Sequence, residues 1–157
     1  MLPKTYIETS VISYLTARPS RDHIATAHQE LTRDWWNRRR TRFDIYVSEL
    51  VVQEASRGDA VFAKARLESI SGYPVLIINP AARVLADTIL QSAVLPSKAA
   101  ADALHIALAA VNGMNFLVTW NCTHIANGFI LQAVNTLCRA AGFEPPIVCT
   151  PEELMEG

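Results

Sequence analysis

Acidic and hydroxyl side chains interrupt the first apolar run of the chain. In the stretch "KTYIETSVISYL", Glu8, Thr9 and Ser10 follow Ile7 at the end of a short predicted strand, and apolar residues resume at Val11. A carboxylate beside hydroxyls offers oxygen atoms, the ligands that hard divalent cations prefer. The end of this strand is therefore a candidate position for metal-dependent chemistry.

A second acidic position follows the next predicted strand, in the stretch "VSELVVQEASRGD". Glu54 lies about a turn and a half into the predicted helix, beside its apolar face, whereas Glu49 lies at the helix start, where the helix dipole favours an acid. The pattern therefore favours Glu54 for a site and Glu49 for the helix cap. A surface pair between Glu54 and Arg57, three residues later, is the alternative.

The alanine-rich segment "KAAADALHIALAA" contains one acid, Asp102, with His105 one turn later. The small side chains predict a helix that approaches the sheet closely, and an acid in such a helix is seldom buried without partners. An ion pair with Lys98, four residues earlier, is one explanation. The other is a role in binding a metal ion or a phosphate, together with the acids that follow the first two strands.

The fourth apolar run ends in the stretch "LVTWNCTHIAN", which contains Thr119, Asn121 and His124. His124 could contact a substrate phosphate, or it could simply pack against its neighbours or cap a helix. Neither His124 nor His105 has the spacing of zinc ligands, and the chain has no glycine-rich phosphate loop and no G-x-S-x-G elbow. Carboxylates with amide and hydroxyl neighbours instead indicate Mg²⁺ or Mn²⁺.

Five short apolar or β-branched runs predict strands, and the segments between them have helical periodicity. The predicted strands cover residues 4–7, 43–47, 74–78, 115–119 and 146–149. The predicted helices cover residues 11–15, 21–40, 50–56, 60–70, 81–91, 99–111 and 130–141. This alternation predicts one α/β domain over residues 1–157, a three-layer α/β/α sandwich with a central, mainly parallel five-stranded sheet. In such sheets ligands bind beyond the carboxyl ends of the strands.

The composition is that of a folded protein, since 50% of the 157 residues are hydrophobic and the mean hydropathy is +0.16. No apolar run is long enough to span a membrane, and the N-terminus lacks a basic region followed by an apolar stretch, so a cytoplasmic protein is expected. Three cysteines without C-x-x-C spacing predict reduced, mostly buried thiols. They are Cys122, Cys138 and Cys149.

The net charge of −1 gives no sign of a polyanionic partner, but the basic residues are unevenly distributed. Five arginines fall within the stretch "RDWWNRRRTRF": Arg33, Arg38, Arg39, Arg40 and Arg42. Such a patch could steer a polyanion towards the protein. It could equally be the solvated end of a helix, where the helix dipole favours basic side chains.

Four stretches, in this order along the chain, resemble the motifs of PIN domains, and more narrowly those of VapC-type toxins of type II toxin–antitoxin systems. They are "YIETSVISYL", "SELVVQEASRG", "AADALHIALAA" and "LVTWN". The resemblance spans nearly the whole chain. It implies a metal-dependent endoribonuclease in which three or four acids hold one or two Mg²⁺ or Mn²⁺ ions.

The resemblance also assigns roles to particular residues. The positions of the family's acids fall at Glu8, Glu54, Asp102 and Asn121. The hydroxyl positions that border such a pocket fall at Thr9, Ser10 and Thr119. His124 lies near enough to Asn121 along the chain to contact the substrate.

Two positions depart from the family pattern. In the family the first acidic position is usually an aspartate, and the fourth position is usually an aspartate or a glutamate. Here the first is Glu8 and the fourth is the neutral Asn121. Three carboxylates then remain, which implies one well-occupied metal site, with a second ion absent or recruited with the RNA phosphate. The alternatives are a PIN-like module that binds RNA or protein without efficient cleavage, and an unrelated α/β phosphatase or nucleotide-binding domain.

The resemblance further implies three partners: an RNA substrate, a cognate antitoxin that covers the acidic pocket, and a second copy of the chain in a homodimer. Trp35 and Trp36 are candidate contact residues for the protein partners. Because adjacent residues of one helix cannot both face the core, at least one of these two indoles is expected to be exposed.

Overall fold

Five parallel strands form the central sheet, in the order β3-β2-β1-β4-β5. The structure is a computed structural model and describes residues 1–157. The strands are β1 (Lys4–Ile7), β2 (Asp44–Ser48), β3 (Val75–Leu76), β4 (Phe116–Val118) and β5 (Ile147–Cys149). A parallel sheet between layers of helices confirms the predicted α/β/α fold.

Seven α-helices connect the strands: α1 (Thr9–Thr16), α2 (His23–Arg38), α3 (Glu49–Ala55), α4 (Ala60–Ile70), α5 (Pro80–Gln91), α6 (Ala100–Val111) and α7 (Gly128–Ala140). From β1 to β3 the chain moves towards one edge of the sheet, and from β4 to β5 it moves towards the other. Right-handed crossovers then place α1–α4 on one face and α5–α7 on the opposite face. Each helix is too short or too polar to span a membrane.

The largest difference from the predicted elements is in the third strand. Residues 74–78 were expected to be extended, but only Val75 and Leu76 pair with β2. Two residues after Leu76, the N–H of Ile78 donates to the carboxylate of Glu49 at 2.7 Å, and Asn79 caps α5. The pairing of β3 with β2 stops after Leu76 because the Glu49 side chain binds the backbone there and α5 begins soon afterwards.

The core lies on both faces of the central strands β1 and β4. Tyr6, Ile7 and Val118 are completely buried. Ala103 and Ala107 of α6 are also completely buried, as expected for a helix whose small side chains allow close approach to the sheet. This close packing brings the polar residues of α6 near the ends of the central strands.

The expectation that Trp35 or Trp36 would be exposed is wrong. Trp35 is completely buried and Trp36 is 8% exposed. The Trp35 ring packs 5.5 Å from that of Phe43, and the Trp36 ring packs 5.7 Å from that of Tyr73. The end of α2 is thus covered from two directions, so adjacent residues are both buried and neither indole can contact a partner.

Four arginines of the cluster, Arg38, Arg39, Arg40 and Arg42, lie at the amino ends of the strands, since they immediately precede β2, whereas Arg33 lies within α2 and donates to the Ala17 carbonyl at 2.9 Å. These four contact the end of α2 and the last residue of the chain. Arg38 pairs with Asp34 at 2.8 Å, while Arg39 and Arg42 each donate to the Gly157 carbonyl at 2.8 Å. The candidate acids lie at the opposite edge of the sheet, so these arginines do not border them.

The thiols generate a prediction about cysteine reactivity. All three cysteines are free, and only Cys122 is exposed. Burial raises the pKa of Cys138 to about 11 and that of Cys149 to about 12. Because the thiolate is the reactive form, we expect an aromatic disulfide reagent at pH 8 to modify Cys122 alone in the native protein and all three cysteines in denaturant. Rapid modification of native Cys122→Ser would contradict this arrangement.

Candidate functional site

The carboxyl ends of β1, β2 and β4 lie side by side, because these strands are neighbours in a parallel sheet. Ile7 pairs with Val118, and the N–H of Glu8 donates to the Val118 carbonyl at 3.0 Å. This register places Glu8 beside Thr119, the first residue after β4. Polar residues that are far apart in the sequence therefore converge at one edge of the sheet.

Glu8 is a buried carboxylate that is held by donors from both central strand ends. Its side chain is 8% exposed, and it folds back so that Oε2 accepts the backbone N–H of Ser10 at 3.0 Å and caps α1. Its Oε1 accepts hydrogen bonds from the hydroxyls of Ser10 and Thr119. Because Glu8 is the cap, α1 begins at Thr9, two residues before its apolar periodicity predicts.

The backbone after β4 determines the direction of both hydroxyls. The N–H of Trp120 donates to Ser10 Oγ at 2.8 Å, and the N–H of Asn121 donates to Thr119 Oγ1 at 2.9 Å. Each hydroxyl oxygen accepts from the backbone with a lone pair, and its own hydrogen is donated to the nearest acceptor, Glu8 Oε1. Two donors thus occupy Glu8 Oε1, whereas Oε2 has one donor and keeps a lone pair.

Glu54 reaches the same edge from α3. Its Oε1 accepts a hydrogen bond from the Thr9 hydroxyl and forms another with His105 Nε2, both at 2.6 Å. Its Oε2 accepts no hydrogen bond in the chain, and the side chain is 23% exposed. Burial alone raises the pKa of this carboxyl, but His105, Thr9 and the charge of Arg57 more than offset burial and leave the pKa below its usual value. Glu54 is therefore an anion with one free oxygen.

The two acids of α3 point in different directions. The Glu49 carboxylate turns away from the site towards Ile78, as described above. The cap of α3 is not Glu49 but Ser48, whose hydroxyl oxygen accepts a backbone N–H from the first turn at 3.1 Å. Glu54 does not form an ion pair with Arg57, since no lysine or arginine lies within 4.0 Å of its carboxylate, where its neighbour is the ring of His105.

His105 is the residue of the site to which the sequence pattern assigned no role. Its side chain is 1% exposed, and its Nε2 lies 2.6 Å from Glu54 and 4.0 Å from Glu8 Oε2. Ligand atoms of Glu8, Glu54 and His105 all lie within 4.8 Å of one another, a spacing that one metal ion could span. The only sequence signal was its position one turn after Asp102 on the same helix.

Asp102 belongs to an adjoining cluster. Its Oδ1 accepts a hydrogen bond from Asn121 Nδ2 at 2.9 Å, and its Oδ2 lies 2.9 Å from His124 Nδ1. Asn121 Oδ1 in turn accepts the backbone N–H of His124 at 3.0 Å. The alternative of an ion pair with Lys98 is not present, because no lysine lies within 4.0 Å of the Asp102 carboxylate, where its neighbour is the ring of His124.

The predicted site residues therefore form two groups at one edge of the sheet. The first group consists of Glu8, Thr9, Ser10 and Glu54, with His105 added by the structure. The second group consists of Asp102, Asn121 and His124. Thr119 joins the two groups, because it donates to Glu8 and accepts from the backbone of Asn121.

The PIN domain model matches residues 5–121 of the chain. The chain belongs to the PIN domain family. PIN domains are generally nucleases, and PIN nucleases typically use divalent metal ions. The matched range includes Glu8, Glu54, Asp102 and Asn121, and it ends before His124. No curated protein matches the chain closely enough to extend this assignment.

The donor set of this PIN domain fits a hard divalent cation. No lysine or arginine lies within 4.0 Å of the carboxylates of Glu8, Glu54 or Asp102. Glu8 Oε2 keeps a lone pair, and Glu54 Oε2 has no partner at all. Mg²⁺ and similar ions are commonly held by one or two carboxylates, with water completing the coordination shell.

The junction at Thr119 generates a prediction about stability. We expect Thr119→Val to lower the free energy of unfolding by about 1–3 kcal/mol, because it removes a donor to buried Glu8 and leaves the N–H of Asn121 without its acceptor. Thr119→Ser, which keeps the hydroxyl, should lose less. The measurement is urea denaturation without added metal ions.

The matched control is Thr136→Val on α7, where the exposed hydroxyl bonds only to a carbonyl of its own helix. We expect that change to remain within about 0.5 kcal/mol of wild type. Equal effects at the two threonines would show that the Thr119 hydroxyl does not join the two groups.

Proposed function

We propose that this PIN domain is a metal-dependent endoribonuclease that hydrolyses the phosphodiester bonds of RNA. The observation that carries the proposal is the absence of any lysine or arginine partner for three acids at one edge of the sheet, Glu8, Glu54 and Asp102. Partly buried negative charge is costly without compensation, and a bound cation would supply it. Family membership supports the same function, since PIN domains are generally nucleases.

In this proposal, Glu8 and Glu54 hold a Mg²⁺ or Mn²⁺ ion, with Asp102 as the third carboxylate. Such an ion, when bound, lowers the pKa of a coordinated water and offsets negative charge on the scissile phosphate. The chain itself orients the carboxylates. Ser10 and Thr119 hold Glu8, and Thr9 holds Glu54, so that an oxygen of each acid remains free.

Asn121 supports the proposal of a single well-occupied metal site. Its amide nitrogen donates to Asp102 and its oxygen accepts from the His124 backbone. The reversed amide would set its oxygen against a carboxylate and its N–H₂ against an N–H, so the orientation follows from the partners. The side chain that stands at the family's fourth acidic position thus orients its neighbours, and it brings no charge that would hold a second ion.

His124 is the proposed phosphate contact. Its Nδ1 faces Asp102, while Nε2 has no partner in the chain and is open to solvent. An imidazolium that donates from Nδ1 to Asp102 would present its Nε2–H to an anionic phosphate. Asp102 and Asn121 together would fix the position of that ring.

We further propose that the chain is a VapC-type toxin of a type II toxin–antitoxin pair and that it acts as a homodimer. The four ordered motifs that resemble this group support the proposal. An antitoxin that places a lysine or arginine at the acidic edge would supply the basic partner that the three carboxylates lack. Trp35 and Trp36 have no part in either interface, because both are buried.

The test is cleavage of a panel of single-stranded and structured RNAs with Mn²⁺ or Mg²⁺. We expect Glu54→Gln and Asp102→Asn each to lower the rate by about 100-fold, equivalent to about 3 kcal/mol of transition-state stabilisation. Glu49→Gln is the matched control, since it changes an acid of the same helix that faces away from the site. Chelation of the metal should abolish cleavage by all active variants.

Inactivity of wild type with every RNA and both metals, together with retained RNA binding, would contradict the nuclease and favour a PIN-like binding module. The toxin role is tested separately by inducing the protein in bacteria. Wild type and Glu49→Gln should arrest growth and Asp102→Asn should not. Growth that is unaffected by an RNA-cleaving wild type would remove the toxin assignment and leave the nuclease.

A further inference from the structure

A buried chain of hydrogen bonds crosses the sheet and ends on Glu54. Ser48 Oγ accepts a backbone N–H of α3 and lies 2.7 Å from Tyr6 Oη. Tyr6 Oη lies 2.7 Å from His105 Nδ1, and His105 Nε2 lies 2.6 Å from Glu54 Oε1. Tyr6 and Ser48 are completely buried and His105 is 1% exposed. We call Ser48, Tyr6 and His105 the relay. Because these side chains are buried, each of their hydrogens must be donated to another member of the relay or to Glu54.

Only one assignment of the hydrogens gives each of them an acceptor. Glu54 is a carboxylate, so His105 Nε2 must carry the hydrogen between the two side chains. If His105 Nδ1 accepts from Tyr6, the Tyr6 oxygen can accept from Ser48, and every hydrogen is paired. If Nδ1 donated instead, Tyr6 would donate to Ser48, and the buried Ser48 hydrogen would have no acceptor, which is unfavourable.

The state of Tyr6 agrees with this direction. Burial raises the pKa of Tyr6 well above its usual value. The Ser48 hydrogen bond opposes this as the next largest effect, and the nearby charges of Glu8 and Glu54 raise the pKa further. The phenol therefore keeps its hydrogen and can donate it to His105 Nδ1.

We propose that His105 is a positioning residue for Glu54 and not a metal ligand, because the relay keeps its Nε2–H directed at the Glu54 carboxylate. The inference rests on the proposed function only in taking Glu54 as a ligand. The lone pair of Nδ1 accepts the hydrogen bond from Tyr6, and Nε2 carries a hydrogen. For Nε2 to bind a cation, its hydrogen would have to move to Nδ1, which would leave Ser48 unpaired and break the bond to Glu54.

The relay determines which oxygen of Glu54 is free. His105 and Thr9 both bind Oε1, so rotation of the carboxylate would break two hydrogen bonds at once. Oε2 is thereby left as the one oxygen of Glu54 that is free to bind a metal ion. Outer partners of this kind commonly change metal affinity by about 10–100-fold when they are removed.

The first experiment examines the relay without metal or substrate. The ¹⁵N chemical shifts of the His105 ring in the metal-free protein report which nitrogen carries hydrogen. We expect hydrogen on Nε2 and none on Nδ1, and we expect Tyr6→Phe to relax this preference. A ring that carries hydrogen on Nδ1 in wild type would overturn the inference, whatever the protein proves to cleave.

The second experiment uses Mn²⁺ alone. His105→Leu should weaken Mn²⁺ binding by about 10-fold or more, whereas His105→Gln, which keeps an N–H donor, should restore most of the affinity. The electron spin echo envelope modulation of bound Mn²⁺ should show no nitrogen of a directly bound imidazole. His124→Gln is the control for a signal from the other histidine of the site.

The possible outcomes separate the two proposals. A directly bound nitrogen that is lost in His105→Gln and kept in His124→Gln would make His105 a ligand and overturn its positioning role, while the metal site would stand. Equal affinity of wild type and His105→Leu would also overturn the positioning role. Failure of wild type to bind Mn²⁺ would overturn the metal site itself, and the positioning of a ligand with it.

Discussion

The site depends on the hydrogen bonds that connect the ends of β1 and β4 through Glu8. Parallel pairing of Ile7 with Val118 brings Glu8 level with Thr119, and the hydroxyls of Ser10 and Thr119 then both donate to one carboxylate oxygen. Hydrogen bonds to a charged group contribute about 1.5–3 kcal/mol each, which offsets much of the cost of burying it. A shift of one residue in this register would turn the carboxylate to the other face of the sheet.

The groups that contact the three carboxylates are hydroxyls, amides and the two histidines His105 and His124, and none is a lysine or an arginine. A salt bridge would orient an acid and neutralise it at the same time. Hydroxyl and amide donors orient Glu8, Glu54 and Asp102 while leaving their negative charge in place. The carboxylates are thus held in position without being neutralised by a lysine or an arginine. Their charge is available to a cation or to a basic side chain of another molecule.

Local sequence patterns predicted the positions of the strands, and with them the edge at which the acids lie. Runs of β-branched and aromatic residues report buried strands directly, and parallel connectivity then places Glu8 and Asn121 at the same edge. The role of His105 could not be predicted in this way, because a helix made largely of alanine has no clear apolar stripe. Its ring position depends on Tyr6 and Ser48, which precede it by 99 and 57 residues in the sequence.

The burial of both indoles also depends on distant residues. Helical periodicity assigns one face of α2 to the core, but Phe43 and Tyr73 cover two faces. The Asn121 amide is a comparable case, since the residue type is visible in the sequence and its hydrogen-bond direction is set by Asp102 on another element. Such features cannot be predicted from a local sequence pattern, because they depend on how two helices or strands pack against each other.

Arg38, Arg39, Arg40 and Arg42 lie at the amino edge of the sheet, whereas Glu8, Glu54 and Asp102 lie at its carboxyl edge. A strand of five residues spans about 16 Å, which is twice the Debye length of about 8 Å at physiological ionic strength. The arginines at the amino edge therefore cannot cancel the field at the acidic edge. A cation bound between the carboxylates would lower the negative field there, and with it the repulsion of any polyanion that approaches the acidic edge.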